Sequence, residues 1–126
     1  MSVILKPDSE LRTQRIMQAV YDERVRQEAL KASGKFRWTC ADNDFQQVTD
    51  GGRSERRVSI TNSEKGVVLG EEFGEAMTEV VEEIIGRDRG DEEHEAKSRS
   101  NLRKELIQVA AVAVAWVESL DARGVK

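Results

Sequence analysis

The chain has few of the residues that interrupt or cross-link a fold. Its one proline, Pro7, lies near the N-terminus, so no proline breaks a helix farther along. Its one cysteine, Cys40, cannot form a disulfide within the chain, which favours a reducing cytoplasm. The longest apolar run, Val109 to Val117, is far shorter than the roughly 20 residues of a membrane-spanning helix. We therefore expect a cytoplasmic protein with long helices and no membrane association.

The length and the charge of the chain indicate the number of domains and the kind of partner. A chain of 126 residues corresponds to one domain, here residues 1–126. Charged residues make up 35% of the chain and the formal net charge is -4, whereas a nucleic-acid-binding domain usually carries a basic surface. These values argue against nucleic acid as a partner.

Three segments have the apolar spacing of helices. The first is predicted to run from about Ser9 to Ala32 and to end at Gly34. The second begins at the capping box Thr61-x-x-Glu64 and runs to about Ile85, where Gly86 closes it. The third runs from Ser98 or Ser100 to about Ala122. The second helix contains Gly70 and Gly74, poor helix formers that indicate close approach of another helix or of a ligand.

Two segments between the helices lack this pattern. Residues 35–62 are predicted to form a long, mobile or functional loop, with one helical turn around Phe45 and a short extended stretch from Arg57 to Thr61. Residues 86–99 are almost entirely polar and are predicted to form an exposed, mobile linker.

The third helix is apolar on all sides in its second half. From Leu106 to Val117, every residue except Gln108 is apolar. Such a helix is buried on every side, and three helices cannot surround one of their own number. The sequence therefore predicts an all-α bundle of three main helices completed by oligomerisation, as a homodimer or a homotetramer.

Acidic residues recur at helical spacing on two of these helices. Glu72 and Glu75 lie three residues apart on the second helix, and Glu105 and Gln108 are three apart on the third. Side chains at this spacing share a helix face, so packing of the two faces brings three carboxylates and an amide together. Hard oxygen ligands suit Mg²⁺, with Mn²⁺ as a substitute. From the residues alone, the acids are either metal ligands or a solvated face.

The residues around these acids resemble a known family. The segments Gly70 to Ala76 and Leu102 to Ala113 resemble the MazG-like family of all-α nucleoside triphosphate pyrophosphohydrolases, whose signature is Glu-Glu-x-x-Glu, a spacer and Glu-x-x-Asp. The resemblance implies magnesium-dependent cleavage of a (deoxy)nucleoside triphosphate to the monophosphate and pyrophosphate, in nucleotide pool control or house-cleaning. It further implies that Glu72, Glu75, Glu105 and position 108 bind the metal. Glu71 is then a candidate to orient or deprotonate the attacking water, and Glu72 is the second catalytic candidate.

Position 108 departs from the signature, because Gln stands where the family has Asp. The amide oxygen of Gln108 is still a hard ligand, but one negative charge is lost and metal affinity should fall. The alternative function is therefore a weakened or inactive relative that binds a nucleotide or a protein partner. A purely structural helical oligomer is a third possibility.

Four further residues are candidates for substrate binding. Trp38 lies in a segment that interleaves basic and aromatic residues, and its ring is able to stack on a nucleobase, while Arg37 is able to meet a phosphate. Lys65 and Lys104 flank the acidic motifs and are candidates for phosphate contacts. For the aromatic residues the alternative is attachment of the loop to the core, and for both lysines it is an ordinary surface position.

Overall fold

The computed structural model describes residues 2–43, 45–49 and 55–125, and for residues 45–49 and 55–59 it describes the backbone. Five elements follow in order: α1 (Pro7–Ala32), β1 (Phe45–Thr49), β2 (Glu55–Ser59), α2 (Asn62–Asp88) and α3 (Glu92–Ala122). Helix α3 is central, because both α2 and α1 pack against it. The predicted all-α bundle of three main helices is confirmed, with one small hairpin added to it.

The ends of α1 and α2 are set by local sequence. Gly34 follows α1 with a φ of 82°, a left-handed conformation that glycine adopts without a steric penalty. The predicted capping box of α2 is present, with the Thr61 side chain accepting from Glu64 N at 3.3 Å. The prediction that Gly86 closes α2 is wrong, since the helix continues to Asp88 and Gly90 takes the left-handed turn with a φ of 69°.

The segment predicted as a mobile linker is mostly helical. Helix α3 begins at Glu92, capped by the Asp91 carboxylate, which accepts from His94 N at 3.0 Å. Acidic residues fill the first turn, where the helix dipole favours negative charge. Arg99 then pairs with Glu95 on its own helix and with Glu83 of α2, the latter at 3.0 Å. Charge pairing thus stabilises helix where the absence of apolar residues had indicated a loop.

The loop prediction for residues 35–62 is corrected in its second half. β1 and β2 pair antiparallel, with Phe45 opposite Ser59 and Thr49 opposite Glu55. The predicted helical turn around Phe45 is therefore wrong, whereas the predicted extended backbone at Arg57–Ser59 is confirmed as part of β2. Residues 50–54 of the predicted loop lie outside the described residues.

Small side chains let α2 and α3 approach each other closely. Ala76, Ala111 and Ala115 are completely buried. Gly86 is also buried, and a β-carbon there would lie 2.9 Å from Glu95 N, which is too close for any side chain. The remaining core joins Val112 and Ala115 of α3 to Cys40, with Trp38, Val68, Leu69 and Trp116 packed around them.

One chain leaves much apolar surface uncovered. Helix α1 buries Arg24 and Gln27, while Ile16, Met17, Tyr21 and Val25 on the same helix are about half exposed or more. Leu106, Val114 and Val117 of α3 are exposed as well. The central helix is therefore not surrounded within a single chain.

Candidate metal centre and adjoining cavity

The predicted acidic residues of α2 and α3 lie together in the fold. Carboxylate oxygens of Glu72, Glu75 and Glu105 all lie within 4.8 Å of one another. Glu72 and Glu75 occupy consecutive turns of α2, and the close packing of α2 on α3 brings Glu105 opposite to them. Glu72 and Glu105 are half-buried and Glu75 is exposed. The cluster therefore has a sheltered side and an open side.

Gln108 completes the cluster from α3. Its amide lies between two of the carboxylates, and the end that faces them is 3.1 Å from Glu105 Oε2 and 3.1 Å from Glu72 Oε2. The hydrogen-bond partners decide the orientation of an amide, since its two ends are nearly the same shape. With the nitrogen on that side, the amide donates to both carboxylates. With the oxygen on that side, four oxygen atoms converge.

The electrostatics of the cluster disfavour three free carboxylates. Burial raises the pKa of Glu72 above its ordinary value, and repulsion from Glu75, Glu105 and Glu23 raises it further. Burial also raises the pKa of Glu105, together with a hydrogen bond to Glu75 and repulsion from Glu75 and Glu79. A cation at the cluster would relieve both effects. Three carboxylates and one amide, without thiol or imidazole, are a donor set for Mg²⁺ or Mn²⁺ and not for zinc.

Helix α1 supplies a charged pair beside the cluster that sequence reasoning missed. Arg26 Nε donates to both carboxylate oxygens of Glu23, at 2.5 Å and 2.8 Å. The Glu23 side chain is only 9% exposed, and its charge acts on Glu72. Their spacing of three residues on one helix was a visible signal for the pair, but nothing in the sequence linked α1 to the cluster.

A cavity of about 440 Å³ opens beside the cluster, within the range of small-molecule sites. Helices α2 and α3 contribute Glu72, Val68, Gln108 and Val112 to its wall. The other side is formed by α1 and by the segment after it. The residues on this side are Arg26, Gln27, Lys35, Phe36, Arg37, Trp38, Thr39 and Cys40.

Residues 35–38, the segment that interleaves basic and aromatic side chains, thus lie across the cavity from Glu72. Arg37 is exposed and lines the cavity wall. Trp38 is half-buried, packs on the core and also lines the cavity, so the attachment of this segment to the core is present. Cys40 is buried, and burial raises the pKa of its thiol, which opposes a nucleophilic role.

The two candidate lysines have different surroundings. Lys65 is completely buried, and its Nζ donates to Asn43 Oδ1 at 3.1 Å. Asn43, which lies in the segment after α1, in turn donates to Ser119 O at 2.6 Å. Lys65 is thus linked through Asn43 to α3, and it is not among the residues that line the cavity. The surface position considered for Lys65 is therefore wrong. Lys104 is exposed and lines a separate depression with Glu23, Arg26 and Gln108.

The structure also shows the surroundings of Glu71 and of the two glycines of α2. Glu71 is exposed, beside the three-carboxylate cluster in sequence but not part of it. A β-carbon at Gly70 or Gly74 would meet no described atom within 4 Å. The close approach of another helix, one of the two explanations for these glycines, is therefore absent among the described residues of this chain.

Comparison of the chain with protein-family models, with curated proteins and with solved structures finds no match in any of the three. Among the described residues, no helix combines the length and the apolar character that crossing a membrane requires. A function is therefore inferred from the chemistry of the acidic cluster and of the cavity beside it.

Proposed function

We propose that the protein is a magnesium-dependent pyrophosphohydrolase that cleaves nucleoside triphosphates to monophosphates and pyrophosphate. The observation that supports it best is the convergence of Glu72, Glu75, Glu105 and Gln108 at the edge of a ligand-sized cavity. The resemblance of Gly70–Ala76 and Leu102–Ala113 to MazG-like pyrophosphohydrolases points to the same reaction. The proposal places the enzyme in the cytoplasm, in nucleotide pool control or house-cleaning.

The residues divide into three roles under this proposal. Glu72, Glu75, Glu105 and the Gln108 amide oxygen would hold the cation, which would neutralise phosphate oxygens and lower the pKa of a bound water. Trp38 would stack on the base across the cavity, while Arg37 and Lys104 would meet the phosphates from the open sides. Glu71 would orient or deprotonate the water that adds across the α–β phosphoanhydride bond.

The test is to mix the purified protein with a panel of ribo- and deoxyribonucleoside triphosphates in the presence of Mg²⁺ or Mn²⁺. Phosphorus NMR distinguishes pyrophosphate plus monophosphate, which we expect, from orthophosphate plus diphosphate. Glu72→Ala serves as the inactive variant, and Glu82→Ala, an acid of the same helix outside the cluster, serves as the matched control. Absence of pyrophosphate release from every triphosphate by the folded protein would refute the proposal.

One observation favours a second candidate, a nucleotide-binding relative with a weakened reaction. The Gln108 amide satisfies Glu72 and Glu105 when its nitrogen faces them, so the cluster has a stable arrangement without a cation. Gln108→Asp restores the acidic residue of the MazG-like signature. A large gain in turnover with an unchanged fold would favour this second candidate, and high activity in both proteins would eliminate it.

We also infer a homodimer or homotetramer, because α1 turns polar residues inward and apolar residues outward. An apolar groove of about 710 Å³ runs between α1 and α3, lined by Met17, Val20, Tyr21, Val25, Ala110 and Val114 among others. Apolar surface of this extent on a small chain marks an association site. Light scattering after gel filtration should give a multiple of 14.2 kDa. Val25→Lys should reduce it to the monomer, and Val3→Lys, at an exposed position outside this groove, should not.

A further inference from the structure

One polar side chain of the cavity is buried and belongs neither to the acidic cluster nor to the aromatic segment. Gln27 of α1 is only 9% exposed, yet it lines the cavity together with Trp38, Glu72 and Gln108. Amides are seldom buried without full use of their hydrogen-bonding groups. Its two ends therefore need separate consideration.

The carbonyl end of Gln27 is held by Arg24. Arg24 Nη1 donates to Gln27 Oε1 at 3.4 Å. A guanidinium has only donors, so it selects the oxygen of an amide and never the nitrogen. The position of Arg24 thus favours the orientation of Gln27 in which the amide oxygen faces the guanidinium.

Arg24 is itself fixed by two helices. Its Nη2 donates to Glu28 Oε1 of α1 at 3.1 Å and to Glu118 Oε2 of α3 at 2.8 Å. Thr39, on the cavity wall, also donates to Glu28 Oε1, at 2.8 Å. This network holds the guanidinium in place, and through it the amide of Gln27.

The amide nitrogen of Gln27 is left as a donor at the cavity. Among the described residues, no hydrogen bond from Gln27 Nε2 is formed, whereas the oxygen is engaged. Because Gln27 and Trp38 line the same cavity, a ligand that enters it and stacks on Trp38 is in a position to meet this N–H group. Such a group pairs with a carbonyl oxygen and opposes an amino group, because two donors cannot share a hydrogen bond.

We propose that Gln27 selects nucleotides whose base carries a carbonyl oxygen at the position where cytosine and adenine carry an amino group. Uracil, thymine, guanine and hypoxanthine belong to the favoured class. This selection depends on the proposed function only in that the ligand is a nucleotide. An unpaired buried donor typically weakens binding by roughly ten- to hundredfold, which is the discrimination we expect.

The test compares ligands that differ mainly at this one position. Calorimetry with Mg²⁺ measures binding of the α,β-methylene analogues of UTP and CTP, which cannot be cleaved at the bond in question. The wild-type protein should bind the UTP analogue roughly ten- to hundredfold more tightly. The analogues of ITP and ATP form a second pair and should give the same direction.

Gln27→Glu is the decisive variant. Arg24 would hold one carboxylate oxygen as it holds the amide oxygen, and the other oxygen would present an acceptor to the cavity. The added charge should weaken binding of both analogues, but the ratio should reverse in favour of CTP. Arg37→Gln is the matched control, because it lies on the same cavity wall and should weaken both analogues without changing the ratio.

The possible outcomes separate the base selection by Gln27 from the proposed hydrolysis of triphosphates. Equal affinities in the wild type, a ratio unchanged by Gln27→Glu, or failure of both analogues to bind would overturn the selection by Gln27. A preference for UTP that Gln27→Glu reverses would establish it, even if no triphosphate were hydrolysed and the proposed reaction had failed. Hydrolysis of UTP and CTP at equal efficiency, with equal analogue binding, would support the reaction and refute the selection.

Discussion

Replacing Gln108 by glutamate changes the charge of the cluster while nearly preserving the shape of the side chain. In the metal-free protein the amide nitrogen lies 3.1 Å from an oxygen of Glu72 and 3.1 Å from an oxygen of Glu105. A carboxylate in the same place replaces two attractive contacts with two repulsive ones. The metal-free variant should therefore be less stable than the wild type.

The magnitude follows from these distances. A hydrogen bond to a charged group contributes about 1.5–3 kcal/mol when buried, and roughly half of that for these half-exposed side chains. Two like charges about 3 Å apart repel by about 5 kcal/mol at an effective dielectric constant of ~20, before the side chain rotates away or takes up a proton. After that relaxation we expect a loss of about 2–3 kcal/mol, or roughly 10 °C in Tm.

Mg²⁺ should reverse the effect. A fourth carboxylate strengthens cation binding, so saturating Mg²⁺ should raise the Tm of Gln108→Glu by more than it raises that of the wild type. Thermal unfolding in EDTA and in Mg²⁺, followed by circular dichroism, measures both quantities.

Two controls separate charge from shape and position. Gln108→Met removes the donors without adding charge, so it should lose about 1–2 kcal/mol in EDTA, and Mg²⁺ should raise its Tm no more than that of the wild type. Gln18→Glu is the matched control, because exposed Gln18 likewise donates to a carboxylate, Asp22 Oδ1 at 2.9 Å, and neither residue belongs to the cluster. It should change stability by less than about 0.5 kcal/mol and should not respond to Mg²⁺. Equal stability of Gln108→Glu and wild type in EDTA, with equal shifts in Mg²⁺, would refute the reasoning.

Three further predictions concern other parts of the fold. Glu71→Gln should keep Mn²⁺ affinity within about twofold, because Glu71 is outside the cluster, and calorimetry measures that affinity. It should lower kcat by roughly 100-fold or more, because Glu71 is proposed to orient or deprotonate the attacking water, and turnover assays measure this loss. Gly74→Ala should stabilise the chain by about 0.5–1 kcal/mol in urea unfolding, since its β-carbon meets no described atom, and destabilisation would contradict this. Burial lowers the pKa of Lys65 from 10.5, so between the lowered pKa and 10.5 the unfolded chain binds more protons and stability contributed by Lys65 should rise with pH. Urea unfolding should show this rise, which Lys65→Met should remove.

The acidic cluster was predictable from the sequence because its geometry is local. A spacing of three residues fixes two side chains on one helix face, so each half of the cluster is set within a single helix. What remained was the pairing of α2 with α3, which the structure shows. The capping box at Thr61 was predictable for the same reason, since both of its hydrogen bonds lie within four residues.

The rest of the site depends on packing between distant segments. From the sequence, Gln27 and Glu23 were expected to be ordinary surface residues of an amphipathic helix. The apolar residues of α1 lie on the opposite face, and that face was expected to be the buried one. Within a single chain, α1 instead buries its polar face against α3, so the hydrophobic pattern pointed the wrong way. Lys65 was misplaced for a related reason: only tertiary structure brings Asn43 to its buried amino group.

The start of α3 was missed because helix prediction relied on apolar periodicity. Residues 92–99 are held by a cap, by the helix dipole and by ion pairs, none of which leaves an apolar signal. Charge pairs between Arg99 and the acids around it were present in the sequence, but their partner on α2 was not identifiable without the fold.

Calorimetric titration with Mn²⁺ tests most directly whether Glu72, Glu75, Glu105 and Gln108 form a cation site. Wild-type protein should bind Mn²⁺, Glu105→Gln should lose most of that affinity, and Glu93→Gln, an acid of the same helix outside the cluster, should retain it. Equal binding by all three proteins, or no binding by the wild type, would contradict the assignment of this cluster as a metal centre.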